Sequence, residues 1–115
     1  GNHPLIVAEV EGNVAGYASL SSYREKEAYK SSVELSVYVS PDYRRQGVAT
    51  ALMEAVLQMA REDENIHTVV SVITGGNEAS VKLHERFGFT FCGCMKEVGV
   101  KFGRYLDIVN YQLMV

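Results

Sequence analysis

The 115-residue sequence predicts one mixed α/β domain with the element order βββαβαββ. Three observations predict it. Short apolar or alternating segments separated by turn residues fill positions 5–39, as strands do. Positions 47–61 and 77–87 instead carry apolar residues at helical spacing. Between them Thr68 to Ile73 is β-branched and almost wholly apolar, the composition of a buried central strand.

Taken in order, Leu5 to Val10 reads as a strand, Glu11-Gly12-Asn13 as a tight turn and Val14 to Leu20 as the hairpin partner. The polar stretch Ser21 to Glu27 loops over to a long strand from about Tyr29 to Val39. Pro41 and Asp42 end that strand, because proline lacks the N–H that a ladder needs and aspartate supports turns. From Gly47 to about Arg61 the residues Val48, Leu52, Met53, Val56 and Ala60 form one apolar stripe. Asn77 is placed to cap a second helix with Val81 and His84 on its inner face, and Gly88 to stop it. Two final strands, roughly Phe89 to Glu97 and Arg104 to Met114, flank a glycine-punctuated loop from Gly99 to Gly103. There is no repeat, linker or low-complexity tract, so residues 1–115 read as one domain.

A hydrophobic content of 47% is enough to build a core around a sheet. Lys+Arg 11 against Asp+Glu 14 gives a net charge of −3, which argues against a nucleic-acid partner held by a broad basic surface. No apolar run approaches the roughly 18 residues of a membrane span and no signal peptide is visible, so a soluble, cytoplasmic protein is expected. Cys92 and Cys94 are the only cysteines. A bond between strand residues two apart would strain the backbone, so buried, reduced thiols are expected. No pair of His, Cys or carboxylate residues has metal-ligand spacing, and no metal is expected.

The most informative stretch runs from Val37 through Pro41-Asp42-Tyr43-Arg44-Arg45-Gln46-Gly47 to Thr50. It joins an apolar strand to a helix through a short basic turn. The first turn of a helix leaves N–H groups unpaired at the positive end of its dipole. Gly47 and Ala49 keep bulk away, so a diphosphate can approach the backbone, and Arg44 and Arg45 add positive charge.

Arg44-x-x-Gly47-x-Ala49 resembles the (Arg/Gln)-x-x-Gly-x-(Gly/Ala) signature of the GNAT superfamily of acyl-CoA-dependent N-acetyltransferases. Asn77 to Phe89 is similar to that family's second coenzyme-contacting helix. Ala28 to Val39 and Val98 to Asp107 resemble its phosphinothricin and methionine sulfoximine acetyltransferase branch. The resemblance implies a mixed, mostly antiparallel sheet with helices on both faces, and acetyl-CoA as acetyl donor. It also implies a small amino-acid-like amine as acceptor, and a homodimer is expected from the apolar face that the family's opening helices would otherwise cover. The family fold usually opens with a strand and two helices ahead of the first hairpin; here the hairpin follows Gly1-Asn2-His3-Pro4, so an N-terminally short domain with an open acceptor pocket is expected. Rival expectations are a protein N-terminus, lysine or polyamine as acceptor, or a non-catalytic coenzyme-binding remnant.

Site residues follow from these motifs. Acetyl transfer needs a neutral amine, so a base is required. Glu34 interrupts the apolar alternation Val33-Glu34-Leu35-Ser36-Val37, and the resemblance assigns it the base role. His84 lies two helical turns after Asn77, on the same face, as acceptor ligand or proton donor. The expected coenzyme contacts are the rail Val37, Tyr38 and Val39; the turn Arg44, Arg45, Gln46, Gly47, Val48, Ala49 and Thr50; and Asn77 and Ser80. Tyr29, Lys30 and Phe102, with Arg24, Lys101 and Arg104 nearby in sequence to them, are the candidates for the acceptor pocket.

Overall fold

Two consecutive residues with positive φ, Glu11 at 50° and Gly12 at 84°, close the first hairpin. Such a turn matches the right-handed twist of the strands it joins. The computed structural model describes residues 4–23, 30–44, 46–74 and 77–115. Its elements are β1 (Leu5–Val10), β2 (Asn13–Ser22), β3 (Ser32–Val39), α1 (Val48–Glu62), β4 (Thr68–Thr74), α2 (Glu78–Arg86), β5 (Thr90–Lys101) and β6 (Arg104–Met114). This is the expected element order, with one 3-10 turn at Pro41–Tyr43 added. The final loop is shorter than expected: both strands run to a tight turn in which Phe102 (φ 52°) and Gly103 (φ 73°) hold left-handed conformations.

The six strands form one sheet in the order β1-β2-β3-β4-β6-β5. All neighbours are antiparallel except β3 and β4. Cross-strand partners share a face, so Leu20 of β2, Leu35 of β3, Ser71 of β4 and Tyr111 of β6 point to the same side. α1 packs there, with Leu52 Cδ1 3.3 Å from where a Cβ on Gly16 would stand. α2 packs there too, because its His84 bonds Ser71.

The expectation of helices on both faces is therefore corrected: both described helices cover one face. The physical reason lies in the strand pattern. Ala18, Leu20, Val33, Leu35, Val69 and Ile73 are buried on that side, and Leu52, Met53, Val56 and Leu57 of α1 complete the core. The opposite side carries the exposed Leu5, Val7, Tyr17, Tyr38 and Val72.

The cysteines also differ from expectation: Cys92 and Cys94 are free and exposed. β5 is the sheet's outer strand beyond β6, and a register shift between Phe91 and Gly93 breaks the alternation that would have set both thiols on one face. Among the described residues no helix is long and apolar enough to cross a membrane.

Candidate active site

β3 and β4 pair only from Ser32↔Thr68 to Leu35↔Ser71, although the strands run on to Val39 and Thr74. Each keeps its other neighbour over that length: β3 stays on β2 as far as Val39↔Gly16, and β4 stays on β6 as far as Thr74↔Ile108. The sheet thus splits along one seam. An irregularity between Ala8 and Glu9, opposite Ala15, adds local twist to the β1–β2 ladder near the Val39 end of β3. Gly16 lets β3 come close on its other side, since a Cβ there would run into the Tyr38 carbonyl oxygen.

The split is a cleft of about 210 Å³ lined by Glu34 to Val37 on one side and Ser71 to Thr74 on the other, with Asn77 and Ser80 at its end. Backbone amides and carbonyls facing the seam have lost their ladder partners there, so an extended amide-bearing chain can take their place. Glu34 sits at the last paired rungs, beside Ser21 and Val70, and faces the side away from the helices. Val37 and Val39 face the core, where they are partly buried against it. Tyr38 faces the other way, 48% exposed, with its ring 5.6 Å from that of Tyr17. Its carbonyl faces Gly16 of β2, so neither its ring nor its backbone polar groups border the seam, which the backbone of Val37 and Val39 faces instead.

Beyond β3 the chain turns through Pro41–Tyr43 into α1. Gly47 stands at the N-cap with φ 79°, a left-handed conformation that favours glycine, and no side chain caps the helix. The first intrahelical bond is Ala51 N–H to Gly47 O at 3.0 Å, which leaves the amides of Val48, Ala49 and Thr50 without intrahelical acceptors. Nothing lies within 4 Å of a Cβ built on Gly47, so the approach to these amides is open. Gln46 Nε2 donates to Asp42 O at 3.4 Å and so braces the turn rather than pointing away from it. Arg44 is exposed beside it. Arg45 lies outside the described residues, as do Tyr29 and Arg24.

At α2, Asn77 Oδ1 accepts the Ser80 N–H at 3.2 Å, so the expected helix cap is formed. His84 is buried, 2% exposed. Its Nδ1 lies 2.7 Å from Ser80 O and its Nε2 2.7 Å from Ser71 Oγ. A carbonyl only accepts, so Nδ1 carries the hydrogen; in the neutral ring Nε2 then accepts from the Ser71 hydroxyl. Burial pushes the His84 pKa below 6.5, with the backbone bond to Ser80 opposing it. His84 therefore reaches the cleft through Ser71 and not by its own ring.

Two participants escaped the sequence reading. Ser71 left a signal, a lone hydroxyl inside Val69-Val70-Ser71-Val72-Ile73. Arg86 left none: its Nη2 donates to Thr50 Oγ1 at 3.2 Å, which brings a cation from the end of α2 to the first turn of α1 across 36 positions. Phe102 does not line the cleft. It is 92% exposed at the β5–β6 turn, with Lys101 Nζ 5.5 Å above its ring. β6 passes Thr74 at Ile108 and continues to Arg104, so this turn projects roughly 14 Å beyond β4, at the end where the seam opens. Lys30 lies at the opposite end, just ahead of the paired start of β3. No group of three or more His, Cys, Asp or Glu among the described residues is arranged to hold a metal.

A parallel pair that parts into a cleft, followed by a glycine-capped helix with open amides, can hold an extended amide-bearing chain that ends in a diphosphate. Residues 1–89 match the acetyltransferase (GNAT) family, and the chain belongs to it. It is 43% identical over 112 residues to the L-methionine sulfoximine/L-methionine sulfone acetyltransferase of Pseudomonas aeruginosa, covering 96% of this chain and 64% of that protein. A phosphinothricin acetyltransferase from Sinorhizobium meliloti, solved with acetyl-CoA, superposes with a TM-score of 0.91 at 36% identity, over 98% of this chain and 61% of that one. A ribosomal-protein-alanine N-acetyltransferase from Brucella melitensis superposes with a TM-score of 0.93 at 42% identity, over 98% and 69%. The chain spans just under two thirds of the length of the Pseudomonas relative.

Proposed function

We propose that this protein transfers the acetyl group of acetyl-CoA to the amine of a small amino-acid-like acceptor of the phosphinothricin, methionine sulfoximine or methionine sulfone type. The observation that carries the reading is the seam between β3 and β4, which ends at Glu34 and continues into the Gly47 turn. The pantetheine arm lies in the seam and bonds the freed backbone of Val37 and Val39, with Asn77 and Ser80 at its far wall. The pyrophosphate lies on the Val48, Ala49 and Thr50 amides, with Arg44, Arg45 and Arg86 around it. Glu34, across the seam from the helices, takes the proton that the ammonium form of the acceptor must lose before it can attack. Lys30, ahead of β3 at the Glu34 end of the seam, and Tyr29 beside it in sequence serve the acceptor, whereas Phe102 stands at the other end. The names of the Pseudomonas and Sinorhizobium relatives favour this acceptor class.

A thiol-release assay with acetyl-CoA tests it against a panel of amines. Release with L-methionine sulfoximine, L-methionine sulfone or phosphinothricin is expected. Release only with a peptide bearing N-terminal alanine would favour a second reading, a protein N-terminus as acceptor, which the Brucella relative's name supports. Acetyl-CoA binding with no release from any amine would leave a non-catalytic coenzyme-binding protein. We extend the proposal to a homodimer, supported by the exposed Leu5, Val7, Tyr17, Tyr38 and Val72 on the sheet face away from the helices. A monomeric mass by light scattering at working concentration would refute it.

A further inference from the structure

Glu34 and His84 stand on opposite faces of the split sheet, and the buried His84 ring bonds Ser71 and the Ser80 carbonyl. The helix side of the seam holds a chain of two short hydrogen bonds. Ser71 lines the cleft and is 4% exposed. Its Oγ–H donates to His84 Nε2 at 2.7 Å, and His84 Nδ1–H donates to Ser80 O at 2.7 Å. The carbonyl fixes the tautomer, the tautomer makes Nε2 an acceptor, and the acceptor draws the hydroxyl hydrogen away from the cleft. Ser71 Oγ therefore presents lone pairs to whatever occupies the seam. A hydroxyl held by a base that a third group orients is the arrangement that moves protons in acyl transfer. Phe89 and Tyr111 rings pack on the imidazole from the turn after α2 and from β6, at centroid distances of 4.9 and 6.2 Å. Among these partners Tyr111 is the one titratable side chain.

We infer that Ser71 and His84 form a proton shuttle on the helix-side wall of the cleft, serving the same transfer reaction proposed above. The acceptor arrives as an ammonium ion and must lose two protons. Glu34 takes the first, which leaves to solvent. Attack of the neutral amine on the thioester carbonyl then forms the C–N bond and leaves a second N–H proton on a cationic nitrogen. That proton passes to Ser71 Oγ while the Ser71 hydrogen passes to His84 Nε2, giving an imidazolium. As the C–S bond breaks, Nε2–H returns the proton through Ser71 Oγ to the departing thiolate. The shuttle ends as it began, and the products are an amide, a thiol and the one proton released through Glu34. Ser71 touches the reacting atoms, and His84 acts through it.

The test combines two readouts on the whole chain. Nitrogen-15 NMR of His84 should show the Nδ1–H neutral tautomer with Nε2 accepting. Adding coenzyme A should shift the Nε2 resonance in wild type and leave it unmoved in Ser71→Ala. An Nε2–H tautomer, or equal shifts in both proteins, overturns the inference whether or not any amine is acetylated. In steady-state acetyl transfer, Ser71→Ala should lower kcat at least tenfold with acetyl-CoA affinity and acceptor KM within about twofold. A curved dependence of kcat on deuterium fraction should become linear in this variant, and Ser71→Thr, which keeps the hydroxyl, should recover part of the rate. Wild-type kcat with a curved dependence in Ser71→Ala refutes the shuttle, whereas a wild type that acetylates no amine refutes the proposed function instead.

Discussion

Replacing Gly47 with aspartate puts a carboxylate at the N-cap of α1, where the coenzyme diphosphate is proposed to lie. The fold should tolerate the change. A Cβ at Gly47 meets nothing within 4 Å, and aspartate is one of the residues that accept a left-handed φ such as the 79° found here, at a modest cost in backbone strain. Binding should not tolerate it. Two phosphate charges about 5 Å from the new carboxylate repel it by about 1.7 kcal/mol at the dielectric constant of water, before salt screening. Desolvation of the turn by the bound coenzyme would raise that figure. Affinity for acetyl-CoA should therefore fall by roughly tenfold or more at low ionic strength. Gly47→Asn is the control, because it has the same shape and the same tolerance for left-handed backbone without the charge. Calorimetry at low salt should separate the two variants, and the gap should narrow at high salt as the Debye length contracts. Equal affinities for folded Gly47→Asp and Gly47→Asn at low salt would remove the pyrophosphate from this turn.

Glu34→Gln should lower the acetylation rate about 10²–10⁴-fold at neutral pH, with partial recovery at high pH where the acceptor deprotonates unaided; a wild-type pH–rate profile would return Glu34 to a structural role. Gly16→Ala should destabilise the fold by about 1–3 kcal/mol, because the new methyl collides with the Tyr38 carbonyl and must push β3 off its line; unchanged urea unfolding would refute that packing. Leu57→Ala, at a fully buried site facing the sheet, should cost about 2–5 kcal/mol by the same measurement. His84 titrates below 6.5 in the folded protein, so between that lowered value and 6.5 the unfolded chain binds more protons than the folded one. Its contribution to stability is then present above pH 6.5 and lost as pH falls through the folded pKa. Denaturation at pH 7.5 and 5.5 should show wild type losing more stability than His84→Leu over that interval.

The element order was legible in the sequence because its causes are local. Glycine at 12 and 47 marks positions of positive φ, Asn77 meets the amide of Ser80 three residues on, and the α1 stripe repeats at helical spacing. The glycine at the start of α1 and the place of Glu34 on β3 were legible for the same reason, since each lies within one short segment. Only the tertiary structure decided the rest. Both described helices took one face because burial on β2, β3 and β4 is summed over strands that are distant in sequence. The outward thiols follow from a register shift in β5 that depends on its pairing with β6. Arg86 reached Thr50, and His84 met Ser71 instead of the open cleft, only after α2 had docked between elements on either side of it in the chain. A sequence states which groups are available within a turn or a strand. The seam between β3 and β4 is a difference in direction between two halves of a sheet, and such a difference exists only once both halves have formed.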